Sequence, residues 1–203
     1  ELSFSSKLDW QVMRTYIWGK VNYEKDFGMH HLDVAGIFSQ GRKKYLKANN
    51  TYMFRDYMAH VSYNYDSRYL ADVVFSYSGS GKLPTGDKYR IYPAVSVAWV
   101  ASNEQFMKRF SALDYLKLRA SFGITGNDSR LSYDRDKQFH GGGNSYIFVG
   151  TSSTYGLAQG GFPSTGVEPE KEYKANVGVE LGLWKGFSMQ VDAFYNRRKQ
   201  IKR

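Results

Sequence analysis

Three sets of residues carry types able to do chemistry, and none has the spacing that chemistry needs. Gly79-Ser80-Gly81-Lys82 looks like a loop that cradles a phosphate, with bare backbone amides around an anion and a lysine to neutralise it. The full G-x-x-x-x-G-K-[ST] spacing fails, because Ser76 holds the first position and Leu83 the last, so a loop between strands is expected there. The four histidines, including the adjacent pair His30-His31, lack metal-ligand spacing, and neither H-E-x-x-H nor G-x-S-x-G occurs. Asp128, Asp134 and Asp136 offer oxygen ligands to a calcium ion, but solvated loop acids are the better reading. With no cysteine, disulfides, thiolate metal sites and cysteine nucleophiles are excluded. The expectation is a protein with no catalytic residue, no metal and no cofactor: not an enzyme.

One group of residues does suggest binding. Tyr133, Phe139, Tyr146, Phe148, Tyr155 and Phe162 lie among glycines on one long segment, where exposed rings could stack on sugars or pack against a covering protein. The alternative is that these rings only pack the segment on itself.

The elements that would position such a segment are strands. Aromatics make up 17% of the chain, with 20 glycines and only 4 prolines, a profile of β-structure with many turns. Mean hydropathy is −0.53, and no apolar run approaches the roughly 18 residues of a membrane helix. A barrel strand escapes that test, since only every second residue meets lipid. The net charge of +9 raises the question of an anionic partner such as nucleic acid, lipopolysaccharide or an acidic substrate. Because the basic residues are scattered, apart from short clusters such as Arg42-Lys43-Lys44 and Arg197-Arg198-Lys199, a solvated wall is expected and nucleic acid is not. Glu1-Leu2-Ser3-Phe4 has neither a basic n-region nor an apolar h-region, so the chain is expected to begin within a mature or internal segment.

Period-two alternation recurs eight times, predicting strands near 15–27, 31–40, 53–65, 69–78, 89–100, 114–126, 172–183 and 187–198. In the first, Ile17, Gly19, Val21, Tyr23 and Phe27 oppose Trp18, Lys20, Asn22, Glu24 and Asp26. Tight turns are read at 28–30, 66–68 and 184–186, with a longer, helix-like connection between the fifth and sixth strands. Long connections at 41–52, 78–88 and 126–171 alternate with them, the asymmetry of membrane barrels with short turns on one side and long external loops on the other. Aromatics beside the tight turns (Tyr23, Phe27, Tyr63, Tyr65, Tyr69, Trp184 and Phe187) fit an interfacial girdle. Lumen-facing candidates are Lys117, Arg119, Lys174, Asn176 and Glu180. The fold class expected is all-β, an antiparallel transmembrane barrel segment. Eight strands are the minimum for a closed membrane barrel, but residues 1–14 read as the tail of a loop and the basic run 197–203 lacks a terminal aromatic, so further strands are expected outside this chain.

The stretch from Asp114 to Asn127, Asp-Tyr-Leu-Lys-Leu-Arg-Ala-Ser-Phe-Gly-Ile-Thr-Gly-Asn, resembles the "DYLKLRASYGxTGN" signature of SusC/RagA TonB-dependent outer-membrane transporters of Bacteroidetes-type bacteria, with Asp114, Tyr115, Gly123, Gly126 and Asn127 as its marks. Supporting matches begin at Asp66, Tyr92, Glu172 and Val191, in order over most of residues 15–198. The resemblance implies part of a barrel of about 22 strands, filled by a plug that has no counterpart here. It also implies import of oligosaccharide or peptide with a SusD-like surface lipoprotein, contact with the TonB complex through the family's N-terminal part, and a place among lipid in the bacterial outer membrane. Two other readings stand beside it: a soluble or surface β-sheet module binding carbohydrate, and a self-contained eight-stranded barrel.

Overall fold

The structure is a computed structural model and describes residues 12–45, 51–84, 86–131, 139–147, 153–159 and 168–200, with the backbone alone at 45, 139–147 and 153–155. It has ten strands: β1 Val12–Phe27, β2 His30–Tyr45, β3 Thr51–Tyr65, β4 Tyr69–Ser80, β5 Tyr89–Val100, β6 Leu113–Asn127, β7 Phe139–Ile147, β8 Ser153–Gln159, β9 Glu170–Leu183 and β10 Phe187–Lys199. Eight of them form one antiparallel sheet in the order β1-β2-β3-β4-β5-β6-β9-β10, and β7 and β8 form a separate two-stranded ribbon. The protein is therefore all-β. Because β1 and β10 are the two edges of this sheet, it does not close on itself, and the eight-stranded barrel reading is set aside.

Two expectations are revised. The strands run past their predicted external ends, so that β2 reaches Tyr45 and β3 starts at Thr51. Near those ends β2 turns polar on both faces, with Arg42, Lys43 and Lys44 in succession, and its hydropathic alternation fades, yet the hydrogen-bond ladder with β3 continues: Lys44 still pairs with Thr51. The 126–171 connection is also not all loop, since it contains the β7–β8 ribbon. It leaves the sheet where β6 and β9 make their last pair, Asn127 with Glu170.

At the opposite end the turns are short. Gly28 takes φ +65° in a two-residue hairpin, a conformation glycine adopts without penalty. The 66–68 and 184–186 turns instead place pairs of non-glycine residues in the left-handed region: Asp66 and Ser67 at φ 51°, Trp184 at 49° and Lys185 at 54°. Each costs about 1–2 kcal/mol, so neighbours must hold them. Asn64 Oδ1 accepts the Ser67 amide at 3.0 Å, and the Asp114 carboxylate accepts the Lys185 amide. Backbone bonds from Asp66 to Met29 (2.7 Å) and from Trp184 to Ala112 (3.1 Å) lace adjacent turns together.

The connection between β5 and β6 lies at this same end and contains two 3₁₀ turns, Ala101–Asn103 and Met107–Arg109. Between them Glu104 tucks its side chain in, leaving 12% of it exposed. Its carboxylate accepts the Tyr69 hydroxyl at 2.7 Å and the Trp99 indole at 3.3 Å, and it faces the Arg68 guanidinium at 3.4 Å. The Tyr69 bond above all, with smaller help from Trp99 and Arg68, holds the Glu104 carboxyl below the usual glutamate range. A carboxyl depressed by folding stabilises the fold above its unfolded pKa and loses that contribution as pH falls through its folded value. Glu104→Gln should therefore lower the temperature at which the folded, heat-modifiable band is lost at neutral pH. The deficit relative to wild type should vanish below the ordinary glutamate range.

Candidate functional site: a polar face and its external rim

Strand pairing carries the two-residue period across the whole sheet. Tyr23, Val34, Val61, Val73, Val95, Phe122, Ala175 and Tyr195 stand opposite one another in register on one face. On the other face the next level holds Glu24, Asp33, Ser62, Asp72, Ser96, Ser121 and Asn176. The apolar series is the exposed one: Val73 is 49% exposed, Val97 52% and Val177 58%. On β3, β4 and β5 the polar series is consistently less exposed than its apolar neighbours. Side chains crowd on the concave side of a curved sheet and splay on the convex side, so the polar series lines the inside and the apolar series faces out.

That arrangement is the reverse of a soluble module, which turns its apolar face into a core. The whole chain exposes 15209 Å², whereas a globular protein of its 23.3 kDa would expose about 9,700 Å². Its buried apolar residues are only Ala35, Leu83, Val100, Ala101 and Leu131 among those described. A sheet with no core on either face is held by its ladder and by whatever covers the apolar side.

The outward face is banded. Beside the turns, Phe27, Tyr65, Tyr69 and Trp99 lie at one level, with the Tyr65 and Tyr69 rings 6.3 Å apart. Toward the external end a second ring level contains Phe38, Tyr57 and Tyr77, spaced 5.2 and 6.4 Å, with Tyr89 stacked on Tyr77 at 4.7 Å. This second level was not identified from the sequence, although Phe38, Tyr57 and Tyr77 each lie eight residues outward from a turn-flanking His30, Tyr65 or Tyr69. On β3 the levels are about 27 Å apart along the strand. At a tilt of about 40° that is about 20 Å across a membrane, just inside the roughly 25 Å apolar band of such barrels.

The polar face carries paired charge. Arg119 donates two bonds of 2.8 Å to the Asp192 carboxylate and faces Glu180 at 3.4 Å, joining β6, β9 and β10. Gly178 sits beneath this guanidinium, where a Cβ would come 2.5 Å from both Arg119 Nε and Asp192 Oδ1. Lys117 pairs in register with Glu180, Asn176 with Ser121 and Lys174 with Gly123, and Lys174 meets Glu172 at 3.4 Å. Lys117, Arg119, Lys174, Asn176 and Glu180 are thus brought onto one surface.

At the external rim of this face, Asp128 accepts the Tyr52 hydroxyl at 3.0 Å and the Ser80 hydroxyl, and its carbonyl accepts Lys82 Nζ at 2.9 Å. Lys82, the lysine of the rejected phosphate loop, also lies 5.4 Å over the Tyr52 ring. Leu83 and Leu131 form a small buried pair beside it. Together these contacts frame a recess of about 340 Å³ lined by Tyr52, Phe54, Tyr92 and Asp128. In the sequence Ser80, Lys82 and Leu83 figure only as a phosphate loop, Asp128 only as a loop acid and Tyr92 only as the start of a family match; Tyr52 and Phe54 are not singled out, because the spacing of the whole set is too wide to read as a motif. The signature residues find physical reasons here. A Cβ at Gly126 would lie 2.0 Å from the Tyr92 hydroxyl, one at Gly123 would press on Ala94, and Asn127 Oδ1 accepts the Ser129 amide at 2.9 Å. Beside Tyr115, Gly182 leaves room for the tyrosine Cβ. Among the described residues no cluster of three or more metal-ligating side chains occurs.

The aromatic candidates lie elsewhere. Tyr133, Phe148 and Phe162, with Asp134 and Asp136, fall outside the described residues. Phe139, Tyr146 and Tyr155 are placed by backbone only, on β7 and β8, with Ser145 paired to Tyr155.

No protein-family model matches the chain. Among curated proteins it is 23% identical over 193 residues to TonB-dependent receptor P3 of Formosa agariphila, covering 81% of this chain and 19% of that one. It is 28% identical over 135 residues to receptor P39 of the same organism, and 29% identical over 73 residues to TonB-dependent receptor SusC of Bacteroides thetaiotaomicron. Among solved structures, the RagAB peptide transporter superposes with a TM-score of 0.78 at 15% identity, over 93% of this chain and 24% of the other. The 'open-open' RagAB peptide importer gives 0.75 over 92% of this chain. The chain spans about a fifth of the length of the first curated relative and about a quarter of the solved ones. In sequence over most of its length and in fold across its sheet, it matches a stretch of barrel wall from the SusC/RagA type of TonB-dependent transporter.

Proposed function

We propose that this chain is an arc of barrel wall in an outer-membrane importer that moves oligosaccharides or peptides, working with a SusD-like surface lipoprotein and driven by the TonB complex through parts outside the chain. The reading rests on the inversion of the faces: apolar residues exposed outward between two aromatic levels, paired charge inward. Lys117, Arg119, Lys174, Asn176 and Glu180 then line the aqueous lumen, where their ion pairs keep the wall polar without leaving isolated charge. The 127–170 segment, carrying Tyr133, Phe139, Tyr146, Phe148, Tyr155 and Phe162, serves as the external contact for substrate or lipoprotein. Its support is positional, since the segment leaves the sheet at the end opposite the short turns. The whole of residues 1–203 belongs to the barrel, with the plug contributed from elsewhere. Between the two substrate classes, the aromatic, carboxylate-bearing rim recess suits the apolar faces and hydroxyls of sugars, whereas the solved neighbours are peptide transporters.

The faces are tested by paired substitutions in the whole barrel protein. Val177→Arg should cost about 2–4 kcal/mol of folding free energy in lipid vesicles, while the adjacent Asn176→Arg should be nearly neutral. The reverse order would reject the wall assignment. Import is tested by uptake of labelled oligosaccharides and peptides into cells expressing the whole protein and its surface lipoprotein. Uptake of one class should be lost on adding a protonophore. Uptake indifferent to the protonophore would argue for a passive pore.

A further inference from the structure

The outward face has a charge pattern that transport does not require. Across the outward-facing positions of the eight sheet strands, the only acid among the described residues is Asp114, at the bulge that opens β6 by the turns. Lys25 is the one outward base near the turns. All the other outward charges are positive and stand at the external end: Arg42, Lys44 and Arg55 on β2 and β3, then Lys171, Arg197 and Lys199 on β9 and β10. On the inward face, by contrast, acids and bases both occur, among them Glu24, Asp33, Asp72, Glu180 and Asp192 with Lys117, Arg119 and Lys174. This corrects the expectation that the basic residues merely scatter over a solvated wall.

The β2–β3 group forms the denser site. Arg42 and Lys44 occupy successive outward positions of β2, and Arg42 lies diagonal to Arg55, which sits opposite Gln40 and donates from Nε to its side-chain carbonyl at 2.8 Å. Arg42, Lys44 and Arg55 are all exposed, and among the described residues no carboxylate pairs with any of them. The β9–β10 group is partly satisfied: Lys171 meets Glu168 at 3.2 Å, and Lys199 lies over the Tyr173 ring at 5.2 Å. Just below the three cations is the ring level of Phe38 and Tyr57, and below that a shallow apolar hollow over Gly19, Gly36 and Ala59. Cβ atoms at Gly19 and Gly36 would meet nothing within 4 Å, so the backbone there is open to an acyl chain.

We infer that Arg42, Lys44 and Arg55 form a binding site for the phosphate-bearing headgroup of an external-leaflet lipid, whose acyl chain lies in the hollow at Gly36 and Ala59. Guanidinium groups recognise phosphate through paired N–H donors, and three unpaired cations at headgroup depth attract a dianion with little competition. A lipid, rather than free phosphate, is favoured because the hollow continues the site into the apolar band. The inference rests on the outward face meeting membrane.

The test uses the whole barrel protein in a zwitterionic detergent, titrated with an acylated disaccharide lipid in monophosphorylated and dephosphorylated forms and read by native mass spectrometry. The phosphorylated form should bind at least tenfold more tightly, and R42Q/K44Q/R55Q should abolish that preference while retaining the heat-modifiable folded band. Removing the β9–β10 charges with K171Q/R197Q/K199Q should leave it intact. Should the first triple variant fail to fold, the single variants R42Q and R55Q must each reduce the preference, and raising salt must weaken it in the wild type. Equal binding of the two lipids, loss of preference only in the β9–β10 variant, or displacement by inorganic phosphate would each overturn the inference. A protein that needs detergent but shows no phosphate preference overturns this inference alone, whereas one that stays soluble without detergent overturns the membrane reading as well.

Discussion

A backbone crossing lipid has no water to bond, so each N–H and C=O must find its partner within the sheet, and the side chains are then free to answer two different solvents. Everything particular to this molecule follows from that constraint. The ladder links β1 to β10 with one bulge at the start of β6, and its register fixes the face of the paired side chains. With the ladder supplying cohesion, no apolar core is required, and almost none exists among the described residues. The same constraint gives the open edges of β1 and β10 their meaning: a sheet edge exposed to lipid would leave its N–H and C=O groups unpaired.

Local devices serve the ladder at its two ends. By the turns, left-handed residues that would be costly alone are held by Asn64, Asp114 and the backbone of adjoining turns, while Glu104 ties the β5–β6 connection to Tyr69 and Trp99. At the external end, Asp128 binds Tyr52 and Ser80 while Lys82 caps its carbonyl, joining the roots of three connections. The glycines of the 114–127 signature are explained by contact: Gly126 accommodates the Tyr92 ring, and Gly178, outside the signature, accommodates the Arg119–Asp192 pair.

How much of this was legible in the sequence depended on whether the information was local. The alternation of Ile17 to Phe27 or of Tyr173 to Leu183 needs no partner to be read, so the strands and their apolar face were recoverable. The strand ends were not, because Arg42, Lys43 and Lys44 make the end of β2 polar on both faces and only the ladder, which pairs Lys44 with Thr51, marks the strand there. The external aromatic level and the outward tier of Arg42, Lys44 and Arg55 were hidden for another reason: Lys43, between two outward residues, points to the other face, so one sequence cluster divides between two surfaces. The rim recess joins residues from Tyr52 to Pro169, a separation no spacing rule covers.

The central claim is that one face of this sheet meets lipid and the other water. The chain has no cysteine, so single cysteines can be placed at successive positions 173 to 181 of β9 in the whole barrel protein, with any cysteine outside this chain first replaced, and the protein reconstituted in vesicles and labelled with a bimane probe. Labels at 174, 176, 178 and 180 should be quenched by a water-soluble iodide and those at 173, 175, 177, 179 and 181 by spin-labelled lipid. The opposite phase, or no alternation at all, would contradict the account.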